Sequence, residues 1–313
     1  MFAALTITPL HWAAFIVCIL VFLALDLGVF HRKSHVIQFK ESLIWTCIWF
    51  AVAMLFAAGL GYWRGREDAT EFITGYLIEL SLSMDNVFVI ALLFAYFKVP
   101  AQHQHRVLFW GIIGALIMRG SLIGVGAALV THFHWVLYVF GAFLVFSGVK
   151  MFFAGEGGVE PENNFVLKLS RKLFPISPDF EGARFFTTMN GRRALTPLAL
   201  VLIMVETTDL VFALDSIPAT FAVTQKPFIV FTSNVFAILG LRSLYFVLAN
   251  AIDAFRLLKY GLSLTLVFIG GKMLVEPWLK IPTTIALGGV IAIIGLSIFL
   301  SVVIKPKHPP ATP

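Results

Sequence analysis

Nine apolar runs, each long enough to cross a hydrocarbon core, leave this chain few folds to choose from. They cover about 9–30, 43–62, 72–97, 107–130, 133–153, 197–222, 228–250, 260–277 and 283–304. A bilayer core needs ~20 apolar residues per helix, and inside it every backbone N–H and C=O must find a partner within the protein. The runs therefore predict an all-α, polytopic membrane helix bundle, a single membrane domain over 1–313. Composition agrees: 59% of residues are hydrophobic and 13% charged, against roughly a half and a quarter in soluble domains. The first run lacks a basic leader and a small-residue exit, so it reads as a retained helix and not a cleaved signal. No Ser-His-Asp set and no ATP-binding motif occurs, which argues against an enzyme and against a prosthetic group.

The formal charge of +6 is laid out for a membrane, not for nucleic acid. With the N-terminus outside, fifteen Lys and Arg fall on one side, among them Arg32, Lys98, Arg171, Arg192 and Lys305. Arg64, Arg66, Lys226 and Lys280 fall on the other, while Arg119, Lys150, Arg242 and Lys272 lie within runs. Cytoplasmic loops carry the basic excess. The split predicts a periplasmic N-terminus, a cytoplasmic C-terminus and a cytoplasmic loop over 154–196. In that loop, Asn163 to Phe174 suits a short interfacial helix, with Phe165, Leu169 and Leu173 opposite Lys168, Arg171 and Lys172. Asn190-Gly191 marks a hairpin turn. Cys18 and Cys47 sit inside apolar runs, which speaks against disulfides and thiolate metal sites.

The loop also separates two similar halves. Met84-Asp85-Asn86-Val87 matches Leu214-Asp215-Ser216-Ile217. Met118-Arg119-Gly120-Ser121-Leu122 resembles Leu241-Arg242-Ser243-Leu244, and Leu144 to Met151 resembles Leu266 to Met273. The three matches keep their order, each on the corresponding span. Spans 3–5 (72–153) and 6–8 (197–277) then form two three-helix repeats, followed by a final span at 283–304. Three is odd, so the second copy is expected to be inverted, with a substrate site between the copies near the midplane.

Six carboxylates fall inside spans away from their last two residues: Asp26, Glu79, Asp85, Glu206, Asp209 and Asp215. Each costs about 2.5–3.5 kcal/mol at the membrane centre, so facing lipid is not an option. Glu79, Ser83 and Asn86 lie at i, i+4 and i+7, one face of a helix, with Asp85 beside it. Glu206, Asp209, Ala213 and Ser216 make a similar stripe, with Asp215 adjacent. Pro218 lacks an N–H and crowds the Leu214 carbonyl, which predicts a kink or break in span 6 beside Asp215. Carboxylate, amide, hydroxyl and carbonyl oxygens suit Mg, Ca or Mn, whereas thiolates and thioethers suit softer metals. The competing reading is structural: the same carboxylates pair with Arg119 and Arg242 and hold the bundle together.

Glu79-Leu80-Ser81-Leu82-Ser83-Met84-Asp85-Asn86-Val87-Phe88-Val89 and the segment from Glu206 to Ala219 resemble the two signature segments of the TerC family. Ser233 to Arg242 and Leu258-Lys259-Tyr260-Gly261 extend the likeness, closest to the Alx-like branch, over nearly the whole chain. The resemblance implies a bacterial inner-membrane protein that exports Mn(II). It also implies that Glu79, Asp85, Asn86, Glu206, Asp209 and Asp215 occupy the family's acidic-motif positions. Asp26 matches a Leu-Asp-Leu stretch of the first span, and Ser216 stands beside Asp215 as a neutral oxygen. The partners expected are a divalent metal ion, the lipid bilayer and counter-transported protons. A membrane factor that metalates or assembles exported proteins is the alternative.

Overall fold

The computed structural model describes residues 7–28, 39–153, 165–189, 191–248 and 257–303. Among them the chain forms helices α1 (Pro9–Gly28), α2 (Phe39–Arg64), α3 (Arg66–Tyr96), α4 (Ala101–His132), α5 (Val136–Phe153) and α6 (Phe165–Leu173). A hairpin of β1 (Phe186–Met189) and β2 (Arg192–Leu195) follows. Then come α7 (Pro197–Phe221), α8 (Pro227–Leu248), α9 (Leu258–Val275) and α10 (Thr283–Val303). Eight of these, α2 to α5 and α7 to α10, are long and apolar enough to cross a membrane. The first expected span is α1, a helix of 20 residues whose described apolar stretch is Pro9–Ala24. The protein is thus a polytopic helical membrane protein.

Local chemistry sets the helix ends. Gly65, at φ 105°, makes the tight turn from α2 into α3, a conformation that a side chain would oppose. Glu67 and Asp68 fill the first turn of α3, where negative charge complements the helix N-terminus. That cap starts α3 at Arg66, ahead of the expected 72. Thr196 caps α7 by accepting from the Ala199 N–H at 3.3 Å, with Pro197 at the first helical position.

One expectation needs correction. Span 6 does not break: α7 runs unbroken through Pro218 to Phe221. Proline's fixed φ suits a helix, and one turn from the end it removes a single backbone bond, that to the Leu214 carbonyl. The Ala222 N–H still reaches the Pro218 carbonyl at 3.0 Å. The short helix is present as α6, but it meets the bundle through Leu167, which is 1% exposed, and joins a cluster with Leu195 and Leu198. Leu169 and Leu173 remain exposed. The hairpin pairs Met189 with Arg192, and Gly191 takes φ 75°, as a two-residue turn requires.

The spans pack around α8, in which 94% of the most apolar stretch is buried, against 17% in α2 and in α10. Helix α3 packs on α7 and α8, α4 on the same two, and α5 along α9. Glycines set the last contact. A Cβ at Gly148 would lie 2.8 Å from the Ser263 carbonyl oxygen, and one at Gly270 2.7 Å from that of Gly141.

Candidate ion site between α3, α4, α7 and α8

The i, i+4, i+7 face of α3 meets the acidic stripe of α7 at mid-bundle, and α4 adds Arg119 between them. Arg119 is 2% exposed and Glu79 0%. Its Nη1 donates to Glu79 Oε1. Nη2 reaches Asp209 Oδ1 at 2.8 Å and Nε reaches Asp209 Oδ2 at 3.1 Å. The guanidinium also donates to Ser216 Oγ at 3.1 Å and Asn234 Oδ1 at 3.3 Å. Planar, forked and permanently charged, arginine is the side chain that can serve two carboxylates at once. One more hydrogen bond completes the node: Asn86 Nδ2 donates to Asp209 Oδ1 at 3.4 Å.

Two small cavities flank this node. One is lined by Glu79, Asp85, Asn86, Arg119, Asp215 and Ser216, with Met151 and Phe212. The other holds Asn86, Gly111, Thr208, Asp209 and Arg242. It extends among Ile90, Leu108, Val205 and Leu241, which belong to the apolar cluster that includes Leu167 of α6. Asn86 and Phe212 border both. Together the linings carry four carboxylates against two guanidiniums, a formal charge of −2.

The eight residues expected from sequence divide into groups. Glu79 and Asp209 are held by Arg119, as the structural reading required. Asp85 and Asp215 share the first cavity and are close enough for their charges to interact. Lys259 acts on Asp85, and Ser147 with Lys150 on Asp215. Asn86 and Ser216 stand between the two groups. Glu206 lies apart from both linings, its carboxylate packed against Gly114, where any side chain would collide with it. Asp26 falls on α1, and its side chain lies outside the described residues. Among the described residues no three acidic, histidine or cysteine side chains form a compact metal cluster.

Among the described residues five buried oxygens nevertheless have no hydrogen-bond partner: Glu79 Oε2, Ser83 Oγ, Asn86 Oδ1, Glu206 Oε2 and Asp215 Oδ1. A buried polar atom without a partner costs about 1–3 kcal/mol, more when charged. Glu79, Asn86 and Asp215 all line the first cavity. Three residues of one cavity lining thus each carry a buried acceptor without a donor.

Sequence reasoning missed three features. Asn234 entered only as part of a family-like segment, although an amide inside an apolar span is itself a signal of a polar partner. Met151, a thioether residue, lines the cavity. At the end of the bundle away from α6, Lys226 binds Asp68 at 2.6 Å and Glu71 at 3.1 Å, and Thr224 donates to Glu71 at 2.7 Å. This cluster ties the α7–α8 connection to the start of α3.

Residues 64–308 match the integral membrane protein TerC family. An uncharacterised membrane protein of Myxococcus xanthus is 50% identical over 305 residues, covering 97% of this chain and 95% of its own. A membrane protein of Rickettsia bellii is 42% identical over 296 residues, covering 95% and 98%. In Escherichia coli, a protein provisionally named membrane-bound redox modulator Alx is 43% identical over 310 residues, covering 96% and 97%. No solved structure matches.

Proposed function

The chain belongs to the TerC family of integral membrane proteins, and we propose that it exports a divalent cation, Mn(II) foremost, in exchange for protons. One observation carries the reading: the partnerless buried oxygens of Glu79, Asn86 and Asp215 around a cavity that also holds Asp85 and Ser216. Anionic and neutral oxygens suit Mg, Ca and Mn, and the Met151 thioether favours the softest of the three. The charge of −2 in the two linings equals that of one such cation with opposite sign. Asp85 and Asp215 are the ligands in this reading, because Arg119 already satisfies much of Glu79 and Asp209. Glu206 and the freed oxygens of the node carry protons.

Alternating access comes from two inverted repeats, α3–α5 and α7–α9, rocking about a twofold axis in the membrane plane. Paired contacts support that symmetry. The sequence match aligns Gly148 with Gly270 and Gly141 with Ser263, so the Gly148–Ser263 contact maps onto the Gly270–Gly141 contact. The Asn86–Asp209 bond maps in the same way onto Ser216 and Glu79, which meet at the Arg119 guanidinium. Such reciprocal pairs are the mark of a twofold relation. The fifteen-to-four basic split favours an inner-membrane orientation with the α6 end in the cytoplasm.

The test compares cells lacking the protein with cells supplied with wild type, Asp85→Asn or Asp215→Asn, measuring intracellular metals and protein abundance. Wild type should lower Mn selectively. Both variants should accumulate normally yet leave Mn high, since neither unpairs Arg119. Normal Mn lowering by both variants refutes the ligand assignment. Unchanged metals with defective exported proteins would instead favour the assembly role, and unchanged metals with a shifted thiol–disulfide balance the redox role named for the E. coli relative.

A further inference from the structure

Arg119 and Arg242 occupy equivalent places in the two repeats, yet they stand in different surroundings. We propose that the two guanidiniums take turns on the Glu79–Asp209 pair, Arg119 holding it in this conformation and Arg242 when the pathway opens to the opposite face. The inference rests on the twofold relation between repeats set out above.

The Arg119 node consists of Glu79, Asp209, Ser216 and Asn234. Glu79 and Asp209 are each other's counterparts, each six residues ahead of the aligned aspartates Asp85 and Asp215. Ser216 corresponds to Asn86. Counting back eight residues from each arginine, Asn234 falls opposite Gly111. The twofold image of the node is therefore Arg242 with Asp209, Glu79, Asn86 and Gly111. Arg242, Asp209, Asn86 and Gly111 line one and the same cavity, the one directed toward the α6 end.

A second observation concerns unfilled acceptors. Asn86 Oδ1 is buried and without a partner, and it is the counterpart of Ser216 Oγ, which accepts from Arg119. Glu79 Oε2 is likewise without a partner. The acceptors that Arg242 needs in the exchanged state are thus present and unfilled. One position breaks the symmetry: Asn234 gives Arg119 an acceptor where Gly111 gives Arg242 none. The resting equilibrium should lean toward the Arg119-bound conformation for that reason.

In this scheme the carboxylate pair never loses its cation, while the flank from which the cation arrives alternates. The cavity beside Arg242 fills when Arg242 moves onto the pair and stays accessible when Arg119 holds it. Arg242 acts through Glu79 and Asp209, so it is a positioning residue and not a ligand of the cargo.

The exchange can be read without any cargo. Cys18 and Cys47 are the protein's two cysteines. In a Cys18→Ala, Cys47→Ala background, Thr208→Cys places a thiol in the Arg242 cavity. A charged, membrane-impermeant thiosulfonate is applied in Mn-free buffer to sealed vesicles of each orientation, and the labelling rate from the α6 side is measured. Arg119→Gln should slow labelling several-fold, because Arg242 then occupies the pair. Arg242→Gln should leave it as fast or faster. Asn234→Ala keeps both charges and removes only the extra Arg119 acceptor, and it too should slow labelling. A merely structural role moves both arginine variants the same way, and that result overturns the proposal, as does unchanged labelling in Asn234→Ala. Where an arginine variant fails to accumulate, Asn234→Ala decides alone. Mn efflux measured in parallel separates the two claims. Opposite labelling shifts without Mn transport leave the exchange standing and remove the cargo assignment, and Mn transport with parallel shifts does the reverse.

Discussion

Removing both guanidiniums, by Arg119→Gln with Arg242→Gln, should cost far more than the two single changes together. Glu79 is 0% exposed and Asp209 8%, so without a cation the double variant buries two unpaired carboxylates. Deleting one partner of a buried ion pair costs about 3–5 kcal/mol, a large share of a typical total stability of ~5–15 kcal/mol. At 1.4 kcal/mol per tenfold, that is roughly a hundred- to several-thousand-fold in the folding equilibrium. In either single variant the remaining arginine can take the pair. For Arg119→Gln the acceptor not regained is Asn234, worth about 1 kcal/mol net, and Arg242 also gives up the interaction it makes in this conformation. Melting of the purified protein in detergent, with membrane abundance alongside, gives the cycle directly. Adding Glu79→Gln and Asp209→Asn to the double variant should recover most of the loss, because no buried charge then lacks a partner. Single variants as unstable as the double, or strictly additive losses, would refute the shared-partner reasoning.

Three further outcomes are expected. Gly148→Ala and Gly270→Ala each drive a Cβ to within 2.8 and 2.7 Å of a carbonyl oxygen, so each should lower stability by about 1–3 kcal/mol in the same melts; a loss confined to one contradicts the reciprocal contact. Met151→Leu keeps the volume and removes the sulfur, so transport should discriminate less well between Mn and Mg or Ca, measured by competition in vesicles; unchanged selectivity removes Met151 from the site. Burial opposes the Lys226 charge, but its bonds to Asp68 and Glu71 outweigh that and hold the ammonium above its ordinary 10.5. The contribution of the raised group is complete at neutral pH and fades only as pH climbs past that value. The Lys226 side chain is 37% exposed, so Lys226→Met should cost at most about 1 kcal/mol, by the same margin across the neutral range.

The spans were legible because an apolar run of bilayer length has few alternatives, and the polar face of α3 because helical spacing fixes which side chains share a side. Glu79, Asn86, Asp209 and Ser216 do meet. What spacing could not supply was the division of labour among the acids. Spacing set Glu79 and Asp209 on the stripes and Asp85 and Asp215 beside them, but only the position of Arg119 on a third helix makes the stripe acids salt-bridge partners and leaves the others in a cavity. Pro218 misled because its effect depends on distance from the helix end: one turn from the terminus, a missing donor does not break α7. Leu167 was passed over in favour of Leu169 and Leu173, since amphipathic spacing identifies an apolar side but not which residue the rest of the bundle will cover.

Two antiparallel copies of one acidic motif bring like charges face to face at the centre of the bundle, an arrangement that repels itself until cations arrive. Arg119 answers for Glu79 and Asp209. For Asp85 and Asp215 the basic groups acting on them are Lys259 and Lys150, near the ends of α9 and α5, where long side chains can reach toward water. A fixed arginine at Asp85 and Asp215 would quiet the repulsion permanently and close the pathway. A mobile cation quiets it only while bound, and it can be displaced by protons or by a change of face. The same duplication thus gives one carboxylate pair a resident partner, and in the proposed function the other pair takes a visiting one.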